Sequence, residues 1–251
     1  MDLIYTYEGG YIELLCLIMY LLKNNIRPAN IKNKTYSPSL FENLISLEIH
    51  ITQNIIKFME NNFGSYATRL TYYVFLSEEE NKEIIIYYFI LNAQKYHQNI
   101  IYRRDLKCVS EVLRISQYVS HESHKLKGFL RFRELENKIL YAEMEPTNDI
   151  IIIVSNHFKK RLNKEYWIIR DVKRGLLSIY DKKKFLIIPE DNFIMNAFIL
   201  SDEEKDMENL WKVFYKTIGI KERKNDRCRM NFMPKKYWKY MTEMEEEIWK
   251  K

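Results

Sequence analysis

The sequence predicts an α+β protein with a helical N-terminal half, a small and mostly antiparallel central sheet that includes one helix, and a helical C-terminus. Apolar residues recur at helical spacing through most of residues 11–126. Short apolar runs separated by turn residues follow over residues 128–190, and a helix-start signal appears at Ser201. Helices and strands are thus segregated along the chain, which is typical of α+β folds rather than of a regular βαβ succession.

The first half of the chain is predicted to contain five helices and one strand. The first helix is apolar on almost every side, so we expect it to be well buried. The alternating segment LISLEIHI, residues 44–51, suits a strand, and Thr52 after it is the expected N-cap of the second helix. The predicted helices cover residues 11–25, 52–62, 65–76, 79–93 and 105–126, and Gly128 follows the last of them.

The second half is predicted to contain five short strands around one helix, followed by two further helices. Residues 149–162 suit a strand at their start, but the residues that follow keep helical spacing, which favours a helix. Ser201 and Glu204 form a capping box, and Pro234 suits the first position of a helix. Two of the predicted strands lie on either side of a turn at 136–138, and the other three cover 166–171, 175–181 and 183–190. The predicted helices cover 149–162, 201–217 and 235–244.

The change from a helical to a β-rich pattern places an internal boundary near residue 128. A length of 251 residues corresponds to one large domain or two small ones. We expect a mainly helical region over residues 1–127 and a β-rich region with C-terminal helices over residues 128–251, packed as one compact unit. The chain is 47% hydrophobic and 29% charged, with 6 Gly and 5 Pro, which excludes a disordered or fibrous protein.

Cysteine usage and hydropathy exclude several classes of protein. Cys16, Cys108 and Cys228 lie far apart, which argues against a disulfide framework, a CxxC motif and the closely spaced ligands of an iron–sulfur cluster. The apolar run from Leu14 to Leu22 is nine residues long, too short to span a bilayer. Acidic residues precede it where a signal peptide carries Lys or Arg. We therefore expect a cytoplasmic protein that makes no membrane contact and holds no metal or other cofactor.

The formal net charge of +6 is concentrated in three basic segments. Residues 103–133 carry eight basic and three acidic residues, residues 157–174 seven and two, and residues 216–239 nine and two. Clustering of Lys and Arg is the electrostatic pattern expected for binding to phosphate backbones. On charge alone, the alternative is that these segments are solvated faces that bind nothing.

The third basic segment interleaves Lys and Arg with aromatic residues, a pattern typical of nucleic-acid binding because cations neutralise phosphates and aromatic faces stack on unpaired bases. We expect Phe232 and Trp238, however, to lie mostly in the core. The predicted phosphate contacts are Arg223, Lys224, Arg227, Arg229, Lys235 and Lys236, with Arg131, Arg133, Lys173 and Arg174 as a second set. Six such contacts on duplex DNA predict that log affinity falls with log salt at a slope of about −5.

Two groups of residues are candidates for catalysis. His121 and His124, on either side of Glu122, have a helical spacing that lets both reach one ligand, although a polar helix face is the favoured explanation. Asp171 and Lys173 at a strand end, with an upstream acid, resemble a Mg²⁺-dependent nuclease site, in which carboxylates hold the metal beside a lysine. The alternative is that Asp171 accepts hydrogen bonds from the turn that follows it. The upstream acids are Glu143, Glu145 and Asp149.

Four stretches of the sequence carry recognisable motifs: IYTYEGGYIELLCLIM, HESHKLKGFLRFREL, WIIRDVKRG and TIGIKERKNDRCRMNFMPKKYWKYMTE. Together they resemble a bacterial family assigned to DNA metabolism and DNA repair, the domain of unknown function 4130 family. The last stretch is the most specific, and the resemblance runs from Ile4 to about Glu243. The positions that match recurring family motifs are His124, Gly128, Arg131, Arg133, Asp171, Arg174, Gly175, Lys221, Arg223, Lys224, Pro234 and Trp238.

The resemblance implies a nucleic-acid-binding protein that acts in DNA metabolism or repair beside a radical SAM partner protein. Some family members continue into a uracil-DNA glycosylase domain with an iron–sulfur cluster, whose cysteines this sequence lacks, so we do not expect glycosylase activity. The family implies no catalytic residues. Two alternatives stay open: a Mg²⁺-dependent nuclease-like enzyme, and an adaptor for the radical SAM protein that makes no DNA contact.

Overall fold

The computed structural model describes residues 2–37, 42–47, 54–192 and 198–244. The chain separates into two units, Met1–Ser120 and His121–Lys251, and the division falls within the long helix α5 (Lys107–Phe129). This helix continues through Gly128, which the sequence pattern places after it. The predicted α+β class is confirmed, while the boundary near residue 128 and the packing as one unit stay predictions. The described helices include none with an apolar stretch of the length that a bilayer requires.

In the first unit, a parallel three-stranded sheet and its helices share a large apolar core. Its elements are β1 (Asp2–Tyr7), α1 (Tyr11–Lys23), β2 (Asn30–Asn33), β3 (Glu42–Ser46), α2 (Ile55–Phe63), α3 (Ser65–Leu76) and α4 (Lys82–Tyr96), followed by the first part of α5. Strand β1 lies between β2 and β3 and runs parallel to both, so α1 is the crossover from β1 to β2. The α1 side chains Leu14, Ile18 and Leu21 are fully buried, as expected for a helix that is apolar on all sides.

The strands of this sheet differ most from the sequence-based prediction. No strand is predicted at β1 or β2, because a parallel pair forms only across a crossover and leaves little trace in local spacing. Strand β2 has a single buried residue, Ile31. Strand β3 overlaps the start of the predicted strand 44–51, whose last four residues, together with Thr52, lie outside the described residues. Helices α2 and α4 begin three residues later than predicted, at Ile55 and Lys82.

The second unit is built on a five-stranded sheet. Its elements are the second part of α5, β4 (Arg133–Glu134), β5 (Leu140–Met144), α6 (Ile151–Arg161), β6 (Trp167–Asp171), β7 (Leu176–Tyr180), β8 (Phe185–Pro189), α7 (Asp202–Thr217) and α8 (Asp226–Phe232). The strand order is β4-β5-β6-β7-β8, and all neighbours are antiparallel except β5 and β6, which α6 connects. Ser155 of α6 donates to Ser178 of β7 at 2.7 Å, so this helix is fixed on the sheet. The mostly antiparallel sheet with one helix is confirmed.

Local signals locate most of the C-terminal elements of this unit. Ser201 caps α7 by accepting the Glu204 N–H at 3.1 Å, and the helix ends at Thr217, as predicted. Helix α8 is absent from the prediction because its seven residues are mostly polar and too few to show helical periodicity. The predicted last helix is a C-terminal 3₁₀ segment (Lys235–Tyr240), with Pro234 as its N-cap instead of its first residue.

Candidate functional site

A buried carboxylate in α5, that of Glu122, is bound by two separate parts of the second unit. Its oxygens accept the backbone N–H groups of Thr147 and Asn148 at 2.9 and 2.8 Å and the Asn148 side-chain amide at 2.6 Å. Lys236 and Tyr237 of the C-terminal 3₁₀ segment each donate to it at 3.0 Å. Glu122 is only 5% exposed, so these hydrogen bonds replace its contacts with water. The Glu122 carboxylate therefore holds the loop after β5 and the 3₁₀ segment together through hydrogen bonds.

The surroundings of Glu122 keep this side chain ionised. Burial opposes its ionisation, but hydrogen bonds from the Asn148 and Thr147 backbone and from the Lys236 ammonium outweigh burial and lower the pKa of Glu122 to about 2. At neutral pH the group is therefore a carboxylate whose acceptor capacity is taken up within the unit. Glu122 is accordingly a positioning residue for Lys236 and not a candidate general acid.

The sequence pattern favours a polar helix face around Glu122, whereas the structure places Glu122 on the buried face of α5. Val119 and Leu126 flank it at helical spacing and are both buried, while His121 and His124 are exposed. The available signal was a single carboxylate within an apolar stripe, which indicates a buried and fully bonded acid. Among the described residues, the two histidines have no third side chain arranged with them to hold a metal ion.

Four lysines from two distant parts of the chain line one pocket, which we call the lysine pocket. Lys173 lies in the turn after β6, and Lys235, Lys236 and Lys239 lie on the C-terminal 3₁₀ segment. The other lining residues are Glu145, Pro146 and Thr147, in the loop after β5. The pocket volume is about 530 Å³, within the range of ~300–1,000 Å³ typical of ligand sites. The second and third basic segments therefore converge at this pocket.

The lysine pocket carries more positive than negative charge. Glu145 pairs with Lys239 and accepts the Tyr240 hydroxyl at 2.9 Å, and these two partners lower the pKa of the Glu145 carboxyl. Lys236 is held by Glu122. The lining residues include four lysines and one carboxylate, that of Glu145, so positive charge predominates at the pocket and favours an anion. Lys239 belongs to the third basic segment, although it was not among the predicted phosphate contacts.

Asp171 shapes the turn that carries Lys173. It is fully buried, and its carboxylate accepts the backbone N–H and the guanidinium of Arg174, each at 3.2 Å. Burial raises the pKa of Asp171, and Arg174 offsets part of this effect. The same guanidinium donates to the carbonyl oxygens of Pro146 and Thr147 at 3.3 and 2.7 Å. These bonds confirm the interpretation of Asp171 as the acceptor for its own turn, and they give Arg174 partners within the unit.

The acids considered for a nuclease site are bound to separate partners. Asp171 pairs in register with Met144, the neighbour of Glu143, so Glu143 and Asp171 extend from opposite faces of the sheet. Glu143 accepts a hydrogen bond from Arg170 at 2.9 Å, and Glu145 pairs with a lysine of the pocket. In the ranges that the structure describes, no three His, Cys, Asp or Glu side chains are arranged to hold a metal ion.

Arg131 and Arg133, two predicted phosphate contacts, bind carboxylates of their own unit. The Arg131 guanidinium donates to both oxygens of Glu243, at 3.2 and 2.5 Å. Burial opposes ionisation of Glu243, but Arg131 outweighs it and lowers the pKa of this carboxyl. Arg133 lies 3.9 Å from Glu143 and 3.8 Å from Glu208 of α7. Both arginines therefore form ion pairs with residues from the C-terminal part of the chain.

The remaining cations of the third basic segment divide into exposed and internally bound groups. Arg223, Lys224 and Arg227 are exposed, and none of them forms an ion pair within the described part of the chain. Arg229 instead stacks over the Trp238 ring, with its guanidinium carbon 4.8 Å from the ring centroid. The first three side chains are therefore exposed, whereas Arg229 supports the packing of the segment.

The expectation that Phe232 lies in the core is wrong, whereas the same expectation for Trp238 is confirmed. Phe232 is 74% exposed and Trp238 is 5% exposed. Helix α8 ends at Phe232, and the next residue, Met233, packs in the apolar cluster around Trp238. The indole N–H of Trp238 also donates to the Met233 carbonyl at 2.9 Å. The third basic segment therefore presents an aromatic ring to solvent.

Comparison with known proteins gives one match. A family model described as a domain of unknown function, DUF4130, matches residues 80–243. The chain belongs to this family. The DUF4130 match includes Glu122 and every residue that lines the lysine pocket, while residues 4–79, which the motif resemblance also covers, lie outside it. No curated protein and no solved structure matches the chain.

Proposed function

We propose that this DUF4130 protein binds nucleic acid, with DNA as the expected ligand, at the lysine pocket and the exposed cations of the third basic segment. The observation that carries the proposal is that Lys173, Lys235, Lys236 and Lys239 line one pocket. Ammonium groups gathered at one place repel one another unless an anion neutralises them. A phosphate backbone supplies such anions at regular spacing.

Cations outside the pocket favour a polymeric ligand over a single phosphate group. Arg223, Lys224 and Arg227 belong to the same basic segment as three of the pocket lysines and are exposed. A mononucleotide would be held by the pocket alone, whereas a strand with many phosphates contacts both sets of cations. The exposed Phe232 lies between the two sets in sequence and offers a face on which an unpaired base stacks.

The biological setting in this proposal is DNA metabolism or repair together with a radical SAM partner protein. The four motif stretches and membership of the DUF4130 family support this setting. The geometry of the lysine pocket supports the narrower part of the proposal, which is affinity for phosphate. The alternative function is an adaptor that binds an acidic protein through the same lysines. Such an adaptor would have no affinity for DNA.

Titration of the full chain with labelled single-stranded and duplex DNA tests the proposal. We expect binding at low salt and, on single strands, a log–log salt dependence with a slope of about −3, since each of the pocket lysines displaces roughly 0.7 counterions. Contacts by Arg223, Lys224 and Arg227 would steepen this slope toward about −5. Inorganic phosphate as competitor is expected to weaken DNA binding only as much as any salt of equal ionic strength. Absence of DNA binding at low salt would contradict the proposal, whether or not inorganic phosphate binds.

Phe232→Ala is expected to weaken binding of single-stranded DNA by about 5- to 100-fold, because stacking on one base is worth about 1–3 kcal/mol. Binding to duplex DNA should change little, since paired bases are already stacked. Fluorescence anisotropy with both DNA forms measures the difference. Leu186→Ala is the matched control, because Leu186 is another exposed apolar residue of the second unit. Equal losses on both DNA forms would argue against a stacking role for Phe232.

A further inference from the structure

Helix α7 contacts its own unit through two carboxylates and through Trp211 and Tyr215, while a second group of its apolar side chains faces solvent. On the inner side, Glu204 accepts the Glu134 N–H at 3.0 Å, and Glu208 pairs with Arg133 at 3.8 Å. No residue of the helix itself is buried. The exposed apolar side chains on the outer side are Met207, Leu210, Val213, Phe214 and Ile218, the last at the C-cap, each between 51% and 62% exposed.

These apolar side chains form one continuous stripe along α7. At 3.6 residues per turn, the other four lie within about 80° of Leu210 around the helix axis. The helix has 16 residues and is therefore about 24 Å long. Contiguous apolar surface of this kind is uncommon on a monomer, because burying it against a partner is favourable. The stripe thus has the pattern of a helix that packs against another element.

The charges along α7 indicate which element covers the stripe. Residues 202–209, the first half of the helix, contain five acidic residues and one lysine, whereas residues 210–217, the second half, contain two lysines and no acidic residue. The two halves therefore carry net charges of opposite sign. A second α7 laid antiparallel would place the acidic half of each helix against the basic half of the other. A parallel arrangement would bring like charges together, which is unfavourable.

We propose that the chain forms a two-fold symmetric homodimer in which α7 packs antiparallel against α7 of a second copy. Such an interface is isologous, since the same stripe serves both copies, and two-fold dimers are the commonest closed assemblies. The charge of α7 changes sign between residues 209 and 210, so matching opposite charges places the symmetry axis close to Leu210. The interface uses none of the lysines of the pocket and does not depend on nucleic acid.

Sedimentation equilibrium of the full chain without nucleic acid tests the dimer. We expect a mass near twice the 30.7 kDa of one chain, and a mass near that of one chain for Leu210→Glu, which places two like charges at the symmetry axis. Leu210 is 62% exposed, so circular dichroism should show an unchanged fold. Leu186→Glu, at a 57% exposed leucine on β8, is the matched control and should stay dimeric. A monomeric wild-type chain, or a Leu210→Glu variant that stays dimeric, would overturn the proposal.

Disulfide cross-linking tests the antiparallel direction, in a Cys228→Ser background because Cys228 is exposed. Leu210→Cys should form a covalent dimer, since the two copies of this residue meet near the axis. Glu203→Cys should not, because antiparallel helices place its two copies about 21 Å apart, beyond the reach of a disulfide. Cross-linking at both positions indicates a parallel pair, and cross-linking at neither excludes the interface. Either result would overturn the proposed arrangement.

Discussion

Replacing Glu122 with glutamine is expected to lower the free energy of unfolding of the second unit by about 3 kcal/mol at neutral pH. Glutamine keeps one acceptor oxygen, but its amide N–H₂ group faces donors of Thr147, Asn148 and Lys236, which are then left unsatisfied. Urea unfolding followed by tryptophan fluorescence measures the change. All four tryptophans lie between residues 167 and 249, so their emission reports on the second unit.

The same variant tests the origin of acid sensitivity in this unit. The pKa of Glu122 is about 2 in the folded chain, below the value of about 4.3 for an unfolded chain. Its stabilisation is therefore fully present above about pH 4.3 and is lost as the pH falls toward 2. The difference between wild type and Glu122→Gln should shrink across that window.

Glu165→Gln is the matched control for both measurements, since Glu165 is an exposed glutamate of the same unit. It should change the free energy of unfolding by less than about 0.5 kcal/mol at any pH. A wild-type advantage over Glu122→Gln that stays constant from neutral pH to about pH 3 would show that the stabilisation does not come from the ionised carboxylate.

Removing Lys173 and Lys235 together is expected to weaken binding of single-stranded DNA by about 10- to 100-fold at low salt and to make the salt slope shallower by about 1.4. Lys236 and Lys239 are left in place because their removal would leave the carboxylates of Glu122 and Glu145 without these cations. Anisotropy titrations of the Lys173→Ala/Lys235→Ala variant over a series of salt concentrations give both quantities.

Lys183→Ala/Lys184→Ala is the matched control, because it removes the same charge from exposed residues between β7 and β8. It should retain nearly all affinity. Equal losses of DNA affinity in both double variants would mean that the affinity depends on the total charge of the chain and not on the pocket.

The elements that sequence patterns predict correctly are those that depend on neighbouring residues. Helix α7 follows from the Ser201 cap, and α6 from the spacing of apolar residues through Phe158. Strands β1 and β2 pair only because α1 carries the chain across the sheet, and Ile31 is the one buried residue of β2. No local pattern in a segment such as NIKN encodes that pairing.

The contacts in the candidate site likewise depend on residues that are distant in sequence. The basic segments and Lys173 are visible in the sequence, but the partners of the arginines are not. Arg131 binds Glu243, which is 112 residues away, and Lys236 binds Glu122, which is 114 residues away. Whether a cation faces solvent or a carboxylate depends on such distant pairs. The exposed position of Phe232 likewise depends on where α8 ends.

The second unit uses its two kinds of cation for different purposes. Arg131, Arg170 and Arg174 hold internal carboxylates, which suits a planar guanidinium that is always charged. The cations that line the pocket are lysines, and a lysine amine, unlike a guanidinium, is readily acetylated and then loses its charge. Acylation of Lys173 and Lys235 would therefore lower the positive charge of the pocket and leave the arginine ion pairs of the fold untouched. Affinity for an anion and stability of the unit are thus open to separate chemical control.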